Sequence, residues 1–407
     1  MDRRQFITIT AAGMGAAALA MSRCSPQFIA PSDWVRIGVI GVGGRGQHMM
    51  RMFLRVPGVR ITGLCDVYEQ RFAEGRKVTG ESTPTYTDYR KMLEAHDIDA
   101  VLVATPLGLH ADHVTASLES GRHVYGEKSL GRTVADCERI RQAARTSGKH
   151  FQIGLQYTYA PWYQEALQRI QEGKIGQVTH IYAYWHRNNS WRRPVPKGSD
   201  LERLINWRLY RQWSGGLLAE LGSHQINFAN SVFGAIPESA VASGGIDYWK
   251  DGREIEDNVH VTYRYPGGRT LQVSSITTNR LDGAQERIFG TGGSIVLTHT
   301  EATYFKEPSD PNSAVPPEIA ITHKLITGPT YSAEQPYKGK GDEGRSGSAE
   351  DCDLLACQSF IDCLRQSRRP LADEELGWRQ GVTVALGNRA LEEGKRIVFS
   401  EALAERR

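Results

Sequence analysis

From residue 35 the chain alternates short β-branched or aliphatic runs with longer stretches whose apolar residues recur at helical spacing. Val35–Ile40 predicts a buried strand, and 47–54 a helix that packs through Met49, Met50, Phe53 and Leu54. The alternation continues with strands over 59–65, 100–104, 123–126 and 151–154, and helices over 89–95, 109–120 and 134–146. Gly121 and Gly148 close the last two helices, as helix C-termini favour. Strands alternating with helices predict a parallel, doubly wound α/β sheet whose ligand sits off the carboxyl ends of the strands. Thr105, Pro106, His110, Glu127 and Lys128 fall at those ends.

The pattern changes near Gln156. A helix over 161–172 leads into strict alternation over 176–187, with Ile181, Ala183 and Trp185 on one face and Tyr182, Tyr184 and His186 on the other. A helix over 217–233 follows, then a hairpin of 259–265 and 270–276 about Pro266-Gly267-Gly268, strands near Arg287 and Ile295, and helices over 350–366 and 378–395. Residues 308–345, rich in Pro, Gly and Ser, predict an exposed loop. The expected organisation is 1–30 as leader and linker, 34–155 as the first domain and 156–400 as an α+β second domain.

The leader reading rests on Arg3-Arg4 followed by Phe6-Ile7 and an apolar run to Ala20, which resembles a twin-arginine export signal. The run, about 14 residues, is shorter than the roughly 20 a membrane span needs, so no span is expected. Ala18-Leu19-Ala20 offers a cleavage site, and a periplasmic location follows. Arg23 disfavours a lipid anchor at Cys24. A net charge of +3 without a long basic run excludes an electrostatic nucleic-acid binder. The six cysteines include no Cys-x-x-Cys, so neither a metal site nor a disulfide framework is expected.

The first strand meets Gly41-Val42-Gly43-Gly44-Arg45-Gly46, a G-x-G-x-x-G turn that opens a helix, and Asp66 ends the next strand twenty positions after Gly46. Gly41 permits the tight turn, Gly43 lets the backbone approach a pyrophosphate, and Gly46 lets helix and strand pack closely. Gly44 and Arg45 complete the turn, and the helix N-terminus offers free N–H groups to an anion. Asp66 suits the ribose hydroxyls and repels a 2′-phosphate, so NAD is favoured over NADP, although Arg71 softens the preference. The unit reads as a Rossmann domain.

With this turn, Ala104-Thr105-Pro106 and His110, Gly126-Glu127-Lys128, and Gly215 to His224 with its Gly-Gly-Leu-Leu-Ala-Glu start, the chain resembles the Gfo/Idh/MocA oxidoreductases, the family of glucose–fructose oxidoreductase and inositol 2-dehydrogenase. The resemblance runs from about Val35 into the C-terminal helix. It implies a Rossmann domain followed by an α+β domain with a large open antiparallel sheet, and hydride transfer between a nicotinamide and a sugar or polyol hydroxyl. Ser129 stands where the family commonly has proline, and Glu220 where it commonly has aspartate. In this frame Lys128 stabilises the developing alkoxide, His224 takes the hydroxyl proton, and Glu220, one helical turn earlier, orients His224.

Aromatics crowd the stretch from Tyr157 to Trp213, among them Trp162, Trp185, Trp207 and Tyr210, and point to a sugar-stacking cleft, with Tyr157, Trp191, Arg192, Arg208 and His224 as candidate substrate contacts. An exported enzyme meets no soluble NAD pool, so the cofactor is expected to stay bound and the cycle to be redox-neutral. One such cycle pairs two sugars. Another is glycoside hydrolysis by transient C3 oxidation, elimination, hydration and re-reduction, as the family's glycosidases imply. A sugar-binding protein without catalysis is the remaining alternative. The open sheet face leads us to expect a homodimer or tetramer.

Overall fold

The computed structural model describes residues 33–306, the backbone of 345–347, and 351–405. The expected export segment, with Arg3, Arg4 and Cys24, lies outside the described residues, as do 308–344 of the expected loop; Arg345 itself opens a short strand.

The first layer runs β1 Val35–Ile40, α1 Gly44–Leu54, β2 Val59–Cys65, α2 Gln70–Thr79, β3 Thr85–Tyr86, α3 Tyr89–Leu93, β4 Ala100–Val103, α4 His110–Glu119, β5 His123–Glu127, α5 Val134–Ser147 and β6 Phe151–Gly154. The six strands form one sheet in the order β3-β2-β1-β4-β5-β6, with every pair parallel. Helices cover both faces, so β4 is buried along its whole length and reads as a continuous apolar run. Strand order reverses between β1 and β4, and the crevice for a ligand opens at their carboxyl ends. The sequence pattern missed α2 because Gly75 is the only residue it buries.

The second layer comprises α6 Pro161–Gln171, β7 Val178–His186, α7 Leu201–Ile205, α8 Ser223–Phe233, β8 Ser239–Gly245, β9 Asn258–Arg264, β10 Thr270–Ile276, β11 Ala284–Gly290, β12 Gly293–Thr298, β13 Glu301–Lys306 and β14 Arg345–Gly347. The chain ends in α9 Cys352–Gln366, α10 Glu374–Glu393, β15 Ile397–Val398 and α11 Phe399–Ala404. These strands form a nine-stranded sheet, β14-β13-β12-β11-β7-β10-β9-β8-β15. It is mixed rather than wholly antiparallel, because β7 and β10 pair in parallel. The hairpin β9–β10 forms as the pattern predicts, and β7 buries Ile181, Ala183 and Trp185 while its other face stays half-exposed.

Two local features set the site. The helix expected over 217–233 forms, but it widens into a π-turn over Leu218–Gly222 before α8. Late in the chain, α9 returns to the first layer, where Ala356, Cys357, Phe360 and Ile361 join the core of Met49, Phe53 and Tyr125. Phe53 meets Tyr125 edge-on at 5.4 Å and Phe360 at 6.1 Å between ring centroids. That return carries Asp353, near the N-terminus of α9, to the glycine turn.

Candidate active site

The four glycines of the turn do two different jobs. Gly41 has φ +97°, and a Cβ there would lie 2.6 Å from the Ala104 carbonyl oxygen. A Cβ on Gly46 would lie 2.0 Å from the Gly41 carbonyl oxygen. Both glycines are required by the protein's own packing. At Gly43 and Gly44 a Cβ would meet nothing within 4 Å, so their bareness serves no internal contact. No side chain caps the start of α1, which leaves its first N–H groups turned to the crevice.

Asp66 lies at the end of β2, with Oδ2 accepting from Val42 N at 2.8 Å and Oδ1 from Tyr68 N at 2.9 Å. Gly41, Gly43, Gly44, Asp66, Thr105 and Pro106 share one crevice of about 1150 Å³, open solvent included. Uncapped N–H groups, bare glycine faces and a fixed carboxylate at the end of the second strand together fit a dinucleotide. Arg71, on the same wall, is paired with Glu74 at 2.8 Å.

Three expected nucleotide contacts are committed elsewhere. Arg45 Nε donates to Glu127 at 2.7 Å, and its two terminal nitrogens donate to Asp353 at 2.7 and 3.0 Å. His48 also meets Asp353, at 2.8 Å. The Arg45 and Glu127 charges therefore answer one another where the crevice meets the adjoining cleft. His110 is buried with its ring nitrogens 2.9 Å from the Ser129 carbonyl and 3.0 Å from the Thr105 carbonyl. It ties the ends of β4 and β5 together and keeps no ring nitrogen for a ligand.

A second cleft, of about 790 Å³ with open solvent included, adjoins the crevice and shares Arg45, Thr105, Trp207 and Arg208 with it. Lys128, directly after β5, donates through Nζ to the carbonyl oxygens of Glu220 at 2.8 Å and Ala219 at 3.1 Å. The wider spacing of the π-turn turns these carbonyls toward the ammonium instead of into a regular helical ladder. Burial lowers the Lys128 pKa, against the opposing pull of Glu220 and Glu127. Ser129, in the usual proline position, is anchored by its hydroxyl to Gln380 at 2.9 Å.

His224, in the first turn of α8, is buried between Tyr157 and Trp185, whose ring centroids lie 4.7 and 5.8 Å away. Its Nδ1 has no partner among the described residues. Burial, then the positive charges of Lys128 and Arg45, hold its pKa well below the usual histidine value, so the ring is neutral at neutral pH. The expected Glu220–His224 pairing is absent. The Glu220 carboxylate instead accepts from Arg208 Nε at 2.8 Å, because the π-turn breaks the four-residue register that an unbroken helix would have given.

Among the expected sugar contacts, Arg208 and His224 line the cleft and Tyr157 packs against His224 with the rings tilted. Trp191 packs on the core, and Arg192 is held by Glu202 and by Asp251 at 3.0 Å; neither lines the cleft. Four residues of the site carry no motif in the sequence: Arg187 and Gln156 on the cleft wall, His299, which meets the Tyr157 hydroxyl at 2.6 Å, and Asp353. Arg187 had a usable signal: it lies two positions past Trp185 and so continues the same strand face. Among the described residues no cluster of His, Cys, Asp and Glu is arranged to hold a metal.

Residues 35–155 match the family model described as oxidoreductase family, NAD-binding Rossmann fold, and residues 163–296 match the Gfo/Idh/MocA C-terminal domain. The inositol 2-dehydrogenase/D-chiro-inositol 3-dehydrogenase of Shouchella clausii is 32% identical over 156 residues, 38% of this chain and 45% of that protein. The match thus spans under half of that relative's length. The glycosyl hydrolase family 109 protein 2 of Phocaeicola vulgatus is 25% identical over 295 residues, 64% of this chain and 69% of that protein. A levoglucosan dehydrogenase solved with NADH and levoglucosan superposes with TM-score 0.72 at 17% identity, covering 89% of this chain and 98% of that one. An aldose-aldose oxidoreductase from Caulobacter crescentus, solved with glycerol, gives 0.69 at 20% identity, covering 90% and 99%. At these identities the two structures show a shared fold.

Proposed function

Because the chain belongs to the Gfo/Idh/MocA oxidoreductase family, we propose that it transfers hydride between a tightly held NAD and a secondary hydroxyl of a sugar or polyol. A bound nicotinamide supplies the hydride acceptor and donor. The observation that carries the reading is the meeting of Lys128 and His224, from different layers, in one cleft beside the glycine turn. Lys128 keeps one N–H free after serving two carbonyls, and that proton stabilises the substrate oxygen as it becomes an alkoxide. Neutral His224, with Nδ1 unclaimed, accepts the hydroxyl proton. Glu220, neutralised by Arg208, tempers the charge at Lys128. Trp185 and Trp207 line the cleft and give it apolar wall for the C–H side of a sugar ring.

The preference for NAD over NADP rests on Asp66, whose charge opposes a 2′-phosphate, with Arg71 spent on Glu74. The family 109 relatives support a second reading, in which the same hydride transfer is transient and the net result is glycoside hydrolysis. Export by the twin-arginine route to the periplasm rests on Arg3-Arg4 and the apolar run after them, and the split between periplasmic and cytoplasmic fractions of cells carrying Arg3→Lys/Arg4→Lys tests it. Self-association through the outer sheet face rests on half-exposed Tyr182 and Tyr184, and light scattering tests it.

The experiment for the whole reading is to denature the purified protein, identify any released nucleotide by mass, and screen glycosides with product analysis. Stoichiometric NAD with a keto sugar identifies the dehydrogenase. Free sugar with unchanged total NADH identifies the hydrolytic route. Absence of nucleotide, with turnover only on added NAD, contradicts the bound cofactor. A glycoside that binds unaltered contradicts catalysis.

A further inference from the structure

Four cationic side chains border the inner cleft: Arg45, Lys128, Arg187 and Arg208. Three of them are answered within the protein. Arg45 is held by Glu127 and Asp353, Arg208 by Glu220, and Lys128 by two carbonyls with the Glu220 charge close by. Arg187 is different. Its main-chain N–H continues the β7–β10 ladder by donating to Ile276 O at 2.9 Å, but its guanidinium has no carboxylate or hydrogen-bond partner among the described residues. It stands 5.4 Å from the Trp185 ring centroid and shares the cleft with Arg208 and Lys128, both of its own sign. Burial is the main cause that lowers its pKa, and Arg208 adds to that against Tyr157 and Glu220.

Like charges brought together without an anion cost stability, and a guanidinium covered by a neutral ligand loses water without gaining a partner. An anionic group on the ligand removes both costs. Nearby acceptors are also open: Gln156 Oε1 and His224 Nδ1 are buried without partners among the described residues, and both residues line the same cleft. They suit the hydroxyls of a sugar ring.

We propose that the sugar bound here carries a carboxylate, as a uronic acid does, and that Arg187 receives it through its planar pair of N–H groups. The proposal rests on the sugar reading of the site given above and narrows it. One uncommitted guanidinium matches a single planar charge, for which the arginine fork is shaped. A phosphoryl group would bring a second negative charge next to the Glu220 carboxylate, with Arg45 and Arg208 already committed.

The test is calorimetric titration of the purified, nucleotide-bearing protein with matched pairs: methyl glucuronide against methyl glucoside, methyl galacturonide against methyl galactoside, and glucose 6-phosphate beside them. The same titrations are repeated on Arg187→Gln, a solvent-reachable position whose change leaves the sheet intact. For at least one pair the acid is expected to bind roughly 10-fold or more tighter than the neutral sugar, the worth of a charged hydrogen-bond pair. In Arg187→Gln that advantage shrinks to about 2-fold or less, the neutral sugar being little affected. Equal binding within every pair, tighter binding of the phosphate, a preference that survives in Arg187→Gln, or no binding of either acid overturns the proposal. An acid that binds with the expected preference but leaves the bound nucleotide unchanged upholds the carboxylate site and overturns the redox reading.

Discussion

Lys128 Nζ donates to the main-chain carbonyl of Glu220 at 2.8 Å, while the carboxylate of that same Glu220 is turned aside to Arg208. The residue that a regular helix would have put beside His224 acts on the lysine instead. Glu220→Gln removes the charge that raises the Lys128 pKa, so the Lys128 value falls further. If the ammonium is the required form, the loss of kcat/KM on the alkaline side moves to lower pH. The acid limb, set by His224, stays in place because Glu220 is not among the groups that hold its pKa. A pH profile of the variant checks both limbs.

Lys128→Met tests the alkoxide role. Loss of one preorganised donor costs about 10²–10³-fold in kcat. Nucleotide content is expected to be unchanged, since the crevice is built from other residues. The variant also orphans two buried carbonyls, which costs about 1–3 kcal/mol. Single-turnover kinetics and thermal melts, with released nucleotide assayed by mass, separate these effects.

The glycine turn makes a paired prediction. Gly46→Ala drives a methyl into the Gly41 carbonyl and destabilises the fold by several kcal/mol, an exceptional loss for one methyl group. Gly43→Ala meets open space and changes stability by only about 0.5 kcal/mol or less. It places the methyl where the pyrophosphate must approach, so nucleotide content falls in a protein that melts normally. Thermal melts with nucleotide quantification distinguish the two variants.

The first layer was legible because each of its signals is local. Strand, glycine turn, helix and Asp66 follow one another in sequence, and burial on both faces of β4 leaves an unbroken apolar run. The cleft was half legible. Lys128 and His224 stand at positions the motifs mark, but the π-turn uses the same residue types as an α-helix, so the Glu220 register could not be read. Arg192 carries no sign in sequence that Glu202 and Asp251 will claim it, the second being fifty-nine positions away. Asp353 reaches Arg45 across 308 positions, a contact that only the return of α9 creates.

Glu286 gives a pH signature beneath the site. It is buried under α8, where the Tyr163 hydroxyl donates to the His224 carbonyl at 3.1 Å and lies 3.4 Å from the Glu286 carboxyl. Burial pushes its pKa up to about 8, only partly opposed by Tyr163. A raised carboxyl pKa contributes stability that is complete below the unfolded value, near 4.5, and is lost as pH rises toward about 8. The Glu286 contribution to wild-type stability therefore declines across that interval, against the buried histidines, whose lowered pKa values add stability as pH rises. Glu286→Gln flattens the decline and is the more stable form at its alkaline end, as melts at matched ionic strength will show.

The most direct measurement of the central claim follows one hydrogen. The purified protein, with its own nucleotide, is mixed with a sugar or sugar acid deuterated at its ring carbons, quenched within one turnover, and its nucleotide released for mass analysis. Deuterium carried from carbon to the nicotinamide, abolished in His224→Ala and strongly slowed in Lys128→Met, is the predicted result for both the dehydrogenase and the hydrolytic route. Sugar that is consumed while the nucleotide gains no deuterium would contradict the account.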